Sequence, residues 1–277
     1  MMTVYEWLRY ATEQLSSCGY YKLDAEVLLS FVIKKSKSWL IINENYRLNM
    51  EELKKINYLL KRRMLGEPIA YLLGEKEFWS LTFIVSKFVL IPRSDTEILV
   101  EHSLKKLTDT PSKILDLGTG CGSIALSLAA MRSDCDITGI DCMMESIYLA
   151  KYNANRLRIN NVRFLYSNWF SVLGTEKFDI IVSNPPYVKL EDINFLEKDI
   201  FFEPFISLIS SNNGLADIEH IIKYAKKHLN YLGWLLLEHS YDQKEEVQNI
   251  FKHYNFFEVS SYKDYSGNDR ITIGRNI

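Results

Sequence analysis

Two short segments of this 277-residue chain place residue types in an order that suits ligand chemistry. The first is Leu115-Asp116-Leu117-Gly118-Thr119-Gly120-Cys121-Gly122, which follows an apolar run and precedes a helical pattern. Three alternating glycines let a backbone pass close to a bound molecule and turn sharply into a helix N-terminus. An acidic residue, Asp141, closes the next apolar run 23 residues after Gly118. There a carboxylate can take the hydroxyls of a ribose. A tight strand-to-helix turn would explain the glycines alone; together with Asp141 they read as a nucleoside-cofactor site. The spacing is G-x-G-x-G, without the G-x-G-x-x-G of dinucleotide sites, which favours S-adenosylmethionine over NAD.

The second segment is Asn184-Pro185-Pro186-Tyr187, directly after the apolar run Phe178-Asp179-Ile180-Ile181-Val182-Ser183. Strand ends at the carboxyl edge of an open α/β sheet face the ligand crevice. Two prolines stiffen the turn, so the Asn184 side chain and the Pro185 carbonyl are presented in fixed directions. Both accept hydrogen bonds and so match the two N–H groups of a planar –NH2. Tyr187 would add a flat aromatic wall. An ordinary Pro-Pro turn is the plainer alternative.

The elements that must position these segments follow from periodicity. Residues 1–75 read as helices, with Val4, Trp7, Leu8, Ala11 and Leu15 forming one apolar stripe. A second helix is expected over Asp24–Ile33, and a short third one from Trp39, capped by Ser38. A fourth is capped by Asn49, with Leu53, Ile56, Leu59 and Leu60 on one face, and ends near Gly66-Glu67-Pro68. Residues 77–91 are rich in aromatic and β-branched types, broken at Ser86-Lys87, so 76–94 is expected to be a β-hairpin linker. From 95 to 277 strands alternate with helices: helix Asp95–Leu107, strand Lys113–Leu117, helix Ser123–Met131, strand Asp136–Ile140 and helix Glu145–Asn155. Strands Val162–Tyr166 and Phe178–Ser183 come next, then helix Ala216–Asn230, strand Trp234–Glu238 and helix Gln243–His253. Strands Phe257–Ser261 and Ile271–Gly274 close the chain as a hairpin. The expectation is an α/β fold with a mostly parallel sheet, antiparallel at its C-terminal end, beside a small all-helical domain.

With the elements in place, the two motifs carry a resemblance. Asp-x-Gly-x-Gly followed by Asn-Pro-Pro-Tyr is the pattern of class I methyltransferases acting on planar amino groups. Within that group the chain resembles the protein-(glutamine-N5) methyltransferases that modify bacterial peptide-chain release factors. The likeness runs almost end to end. It includes Gly66-Glu67-Pro68-Ile69-Ala70-Tyr71, Gly74-x-x-Glu77-Phe78-Trp79 and Val89-Leu90-Ile91-Pro92-Arg93-Ser94-Asp95-Thr96-Glu97. Glu203-Pro204, Asn213-Gly214-Leu215, Glu238 with Gln243, and Arg270 extend it. The Ile-Pro-Arg-x-Asp-Thr-Glu stretch is the more specific part, because adenine-specific relatives lack it. The chain departs from the pattern at Ser94, at Cys121 and at His239-Ser240.

The resemblance implies a class I, Rossmann-like S-adenosyl-L-methionine-dependent methyltransferase domain and a helical domain that recognises the substrate. The implied reaction is methylation of the glutamine amide in the Gly-Gly-Gln motif of class 1 release factors, in the cytoplasm, as part of translation termination. It places the cofactor on Gly118, Thr119, Gly120, Cys121, Gly122, Asp141, Trp169 and Asn184, and the glutamine on Asn184, Pro185, Pro186 and Tyr187. Asn184, Pro185 and Tyr187 would carry the catalysis. Trp169 could equally be core, and Arg93, set near the cofactor entrance, could equally be a plain surface arginine. The alternative is a DNA adenine or RNA guanine N-methyltransferase using the same pocket, which would have to flip a base into it. An NAD-dependent oxidoreductase would leave Asn-Pro-Pro-Tyr without a task, and a silent cofactor-binding regulator would need a damaged acceptor motif.

Composition narrows the classes further. The chain is 47% apolar and 25% charged with a net charge of −2, which excludes disorder as the main theme and argues against a direct nucleic-acid partner. Residues 1–75 hold 11 basic against 9 acidic residues, a mild tilt carried by Lys34, Lys35, Lys37, Lys54, Lys55, Lys61, Arg62 and Arg63. Such runs are usually a solvated face and sometimes a docking surface. Cys18, Cys121, Cys135 and Cys142 form no C-x-x-C pair and no zinc spacing, so neither disulfides nor a metal are expected. Cys121 stands at a helix N-terminus, which can lower a thiol pKa, but reads as loop filling. The five histidines are scattered. The first residues lack the basic and apolar pattern of a secretory leader, and no apolar run nears the ~20 residues of a membrane helix, so no membrane association is expected.

Overall fold

The computed structural model describes residues 2–17, 19–20, 22–195 and 198–277; Cys18 lies outside them. The described chain divides into two compact units, and each has its own core. The first holds the residues up to Glu75 and the 3-10 turn Lys198–Phe202. Its helices are α1 (Val4–Ser17), α2 (Lys22–Ile33), α3 (Lys37–Ile42), α4 (Met50–Met64) and α5 (Ile69–Leu73). The expected stripe of α1 is its buried face: Val4, Trp7, Ala11 and Leu15 are fully enclosed with Leu29, Ile56 and Leu60. The indole N–H of Trp7 donates to Asn57 Oδ1 at 2.9 Å, so its polar edge is satisfied inside. Asn49 caps α4 in a full capping box with Glu52. The cap of α3 is Ser36 and not Ser38; its hydroxyl accepts from Trp39 N, which starts the helix two residues earlier than expected. Nor is the basic run all surface. Arg63 is buried, pairs with Asp24 and Asp199 at 2.7 Å each, and lies over the Tyr20 ring.

The second unit opens with a hairpin, β1 (Glu75–Phe78) and β2 (Leu81–Ile84). Its turn is Trp79-Ser80, both left-handed (φ 50° and 57°), and Glu97 Oε1 accepts from Trp79 N at 2.8 Å. The expected break at Ser86-Lys87 is therefore not the turn, and no strand runs beyond Ile84. Val85, Val89 and Ile91 are buried in irregular chain, so their apolar character reports packing and not strand pairing.

Helix α6 (Glu97–Lys106) leads into a seven-stranded sheet of order β5-β4-β3-β6-β7-β9-β8. Its strands are β3 (Lys113–Leu117), β4 (Asp136–Asp141), β5 (Val162–Tyr166), β6 (Phe178–Ser183), β7 (Leu229–Glu238), β8 (Phe257–Lys263) and β9 (Asp269–Arg275). Strands β5 to β7 run parallel, and β9 pairs antiparallel with both β7 and β8, as the terminal hairpin required. The connecting helices are α7 (Ser123–Met131), α8 (Met144–Leu157), the distorted turn α9 (Ser211–Gly214), α10 (Ala216–Ala225) and α11 (Lys244–His253). Helix α10 stops at Ala225, five residues short of the expected Asn230, because Leu229 is already paired to Phe178 in the sheet. Strand pairing here overrides helical propensity. Ile218, Ile221 and Ile222 of α10 and Val247 and Phe251 of α11 share one core with Leu115, Leu117, Ile181, Leu235 and Leu237. No helix among the described residues is long and apolar enough to cross a membrane.

The chain order reverses between β3 and β6, and the crevice outside the carboxyl ends at such a switch point is where open α/β sheets take ligands. Gly139, mid-strand in β4, lets the Phe164 ring lie under the glycine loop. A Cβ there would stand 2.6 Å from the Phe164 ring and 2.9 Å from Thr119 Oγ1. Gly139→Ala is therefore expected to destabilise the fold by about 1–3 kcal/mol through overpacking, read as a lower melting temperature.

Candidate active site

A cleft of 430 Å³ opens at that switch point. Parallel pairing in register sets Leu117 beside Ser183, with the Ser183 hydroxyl donating to Leu117 O at 2.7 Å. The residues that follow, Gly118 and Asn184, consequently emerge side by side, and both line the cleft. Gly118 N and Thr119 N both donate to Ile140 O at 2.8 Å, which ties the loop to the end of β4. Asp141 lines the cleft too; its Oδ2 accepts from Gly120 N at 2.9 Å and its Oδ1 from Met143 N at 2.8 Å. The Ser146 side chain and Cys142 N also act on this carboxylate, so its direction at the cleft wall is fixed.

The three glycines do different work. A side chain at Gly120 would meet nothing within 4 Å, and one at Gly118 only Trp169 at 3.9 Å, so their left-handed backbones border open space. Gly122 is a packing residue: a Cβ would stand 3.0 Å from Leu126, 3.2 Å from Ala150 and 3.3 Å from Phe164. Gly122, Thr119 and Cys121 do not line the cleft. Thr119 instead donates to buried Asp116 Oδ2 at 2.6 Å. Cys121 is enclosed, and burial pushes its thiol up to about 12. The lowering expected of a helix N-terminus is outweighed by desolvation.

Trp169 is both core and cleft: its ring lines the cavity while packing on the central core. Its backbone is left-handed (φ 44°), a cost of about 1–3 kcal/mol for such a residue. Ser167 holds that turn, donating to Trp169 O at 3.0 Å and accepting from Val172 N at 3.2 Å.

The acceptor turn is more selective than its sequence suggests. Asn184 Nδ2 donates to Thr96 Oγ1 at 3.2 Å, which turns the amide oxygen away from Thr96. Pro186 lines the cleft and Pro185 is buried. Tyr187 is not among the lining residues. Its ring packs on the core, its hydroxyl donates to Glu238 Oε1 at 3.1 Å, and its carbonyl accepts from Gln243 Nε2 at 3.1 Å. Gln243 Nε2 also reaches Asn213 O at 3.1 Å, so one side chain clips the acceptor turn to the turn before α10. Arg93 is no plain surface residue, for it pairs with Glu203, a buried carboxylate that also accepts from Ile91 N at 3.0 Å. Thr96 and Leu90, which lines the cleft, went unassigned from sequence although they lie in the specific Val89–Glu97 stretch. Tyr166, Ser167 and Asp217 also line it and carried no sequence signal.

Residues 6–74 match the PrmC N-terminal domain, and residues 94–203 match the methyltransferase small domain. Over 274 residues, 99% of either chain, the sequence is 51% identical to the release factor glutamine methyltransferase of Buchnera aphidicola subsp. Acyrthosiphon pisum (strain APS). It is 43% identical, over the same length and 99% of either chain, to that of Escherichia coli (strain K12). The chain belongs to the release factor glutamine methyltransferase family. The enzyme's fold agrees: a methyltransferase from Pyrococcus furiosus matches with a TM-score of 0.54 at 20% identity, over 83% of this chain and 100% of that one. The T. thermophilus 16S rRNA N2 G1207 methyltransferase, in complex with AdoMet and guanosine, matches with a TM-score of 0.53 at 16% identity, over 73% of this chain and 50% of that one. The methyltransferase thus has a class I fold, and S-adenosylmethionine is its methyl donor.

Asp116 lies fully buried beneath the glycine loop of the methyltransferase, and burial pushes its carboxyl up to about 7 against the pull of Thr119 and Ala125 N. The folded chain therefore holds this proton more tightly than the unfolded one, and stability falls as pH rises between about 4 and about 7. Asp116→Asn removes that contribution. Its melting temperature is expected to change less than the wild type's across this range, though burial of Glu238 leaves some slope of the same sign.

Proposed function

We propose that the enzyme methylates the side-chain amide of a glutamine in a peptide-chain release factor, the Gly-Gly-Gln motif being its target. The observation that carries the reading is the Asn184 amide. Its NH2 is committed to Thr96, so an acceptor oxygen stands beside the glycine loop in the same cleft. The cleft suits the cofactor: open glycine faces at Gly118 and Gly120, a carboxylate at Asp141 for a ribose diol, and a flat ring at Trp169. Thr119, Cys121 and Gly122 support that loop from beneath. When bound, S-adenosylmethionine supplies an electrophilic methyl group on a sulfonium.

An amide nitrogen is a poor nucleophile because its lone pair is delocalised into the carbonyl. Asn184 Oδ1 and the Pro185 carbonyl accept its two N–H bonds, which raises electron density on nitrogen and aims the lone pair. No strong base is required, since the proton can leave after transfer. Positioning of this kind is worth up to about 7–11 kcal/mol of barrier. Pro186 and the core-packed ring of Tyr187 keep the turn rigid. The helical unit, with Ile41, Ile42 and Met50 exposed, serves to recognise the protein substrate. A cytoplasmic location and a place in translation termination belong to the same reading.

Incubation with labelled S-adenosylmethionine and a release factor, followed by peptide mapping, is expected to put label on one glutamine; label elsewhere, or on a nucleic acid instead, rejects the reading. Asp141→Ala is expected to weaken cofactor binding by about 1–3 kcal/mol in calorimetric titration. Asn184→Ala is expected to lower kcat by about 10²–10³-fold, as the loss of a transition-state hydrogen bond does elsewhere, with a much smaller change in cofactor affinity.

A further inference from the structure

Glu238 ends β7 at the same edge of the sheet as the cleft, and nothing above gives it a task. Its side chain is buried, yet its oxygens are unequally served. Oε1 accepts from the Tyr187 hydroxyl at 3.1 Å, whereas Oε2 has no hydrogen-bond partner among the described residues. A buried carboxylate with one oxygen lacking a hydrogen bond is costly to keep.

The groups facing it come from three neighbouring segments: Tyr187 from the turn after β6, Asp95 and Thr96 from the 3-10 turn Ser94–Thr96, and Arg270 from β9. Arg270 is shared, with Nε on Asp264 at 3.1 Å and Nη2 at 3.7 Å from Asp95, so its charge answers Glu238 only in part. Arg93 acts on Tyr187 from further off, and burial holds the adjacent His239 below the usual imidazole range. Thr96 is the link to the chemistry. Its hydroxyl oxygen accepts from Asn184 Nδ2, while the same hydroxyl lies beside the Glu238 carboxylate.

We propose, resting on the methyl-transfer reading above, that Glu238 is a positioning residue whose carboxylate sets the direction of the hydrogen-bond chain ending at the Asn184 amide. A carboxylate accepts and cannot donate. Thr96 must then give its proton toward Glu238 and its lone pair to Asn184 Nδ2, which leaves Asn184 Oδ1 facing the substrate. A protonated or amide side chain at 238 has a donor to offer. Thr96 can then accept from it and donate to Asn184 Oδ1, so that the amide flips and shows its NH2 to the cleft. The substrate N–H would meet a donor, and the acceptor would be lost. Burial pushes Glu238 up to about 7, against Thr96, Arg270 and Tyr187, so protonation falls within reach of ordinary assays.

The test is steady-state methylation of a release factor by the full-length enzyme from about pH 5.5 to about pH 9, with cofactor affinity and melting temperature measured alongside. The wild type is expected to lose kcat as pH falls through the Glu238 titration. Glu238→Gln is expected to lower kcat by about tenfold at neutral pH, to lack that acidic limb, and to keep wild-type cofactor affinity. Thr96→Val should lose kcat similarly, and Thr96→Ser, which restores the hydroxyl, should recover both rate and limb. Wild-type kcat in Glu238→Gln, an acidic limb that survives it, or parallel losses of affinity, melting temperature and kcat would each overturn the proposal. A wild type that methylates no release factor would overturn the functional reading and this proposal together.

Discussion

Parallel pairing of β3 with β6 is the constraint on which the rest of the site depends. Because Leu117 sits opposite Ser183, the first residues beyond each strand leave the sheet at one level and on one side. A slip of one residue would turn every side chain of β6 to the other face. It would also carry Asn184 away from Gly118. The Ser183 hydroxyl on Leu117 O reinforces that register from within the sheet. The reversal of strand order at the same place opens the crevice that both loops line.

Around this junction the fold accepts several costs that a purely structural core would avoid. Asp116 and Glu238 are buried, each with one oxygen lacking a hydrogen-bond partner among the described residues, and Glu203 is buried under Ile91 and Arg93. Trp169 holds a left-handed backbone. Such features cost on the order of 1–3 kcal/mol each. They lie at the carboxyl edge of the sheet, where loops are placed by a rigid scaffold. The apolar interior beneath offsets them: Leu115, Leu117, Ile181, Leu235 and Leu237 are all fully enclosed. At roughly 1.5–3 kcal/mol for each buried side chain of this size, that layer can carry a few strained or unsatisfied groups above it.

The two motifs divide labour in a way their one-line sequences hide. In the glycine loop, Gly118 and Gly120 border the cavity while Gly122 is closed against Leu126, Ala150 and Phe164. In the acceptor turn, Asn184 and Pro186 reach the cavity while Tyr187 points its phenol to Glu238 and its carbonyl to Gln243. Each motif therefore contains residues that face the ligand space and residues that hold the others still, and the second kind is a packing property.

What the sequence determined by itself was local. Helical periodicity and short continuous apolar runs placed most helices and the central strands of the second unit, because parallel strands buried on both faces are apolar throughout. Asn49 announced the cap of α4, and Gly118, Asp141 and Asn184 announced chemistry by residue type and place. Tertiary structure decided whatever depends on partners distant in the chain. Leu229 joined a strand because Phe178 was there to pair with it, not because of its neighbours in sequence. Val85, Val89 and Ile91 look like a strand and are loop residues pinned in a core. Cys121 kept its proton because burial outweighs a helix terminus, and Arg93 found a buried carboxylate 110 residues away. The polarity of the Asn184 amide, on which the proposed chemistry turns, comes from Thr96, 88 residues earlier. Hydrogen-bond direction is set by the partner across the fold, and no local pattern encodes it.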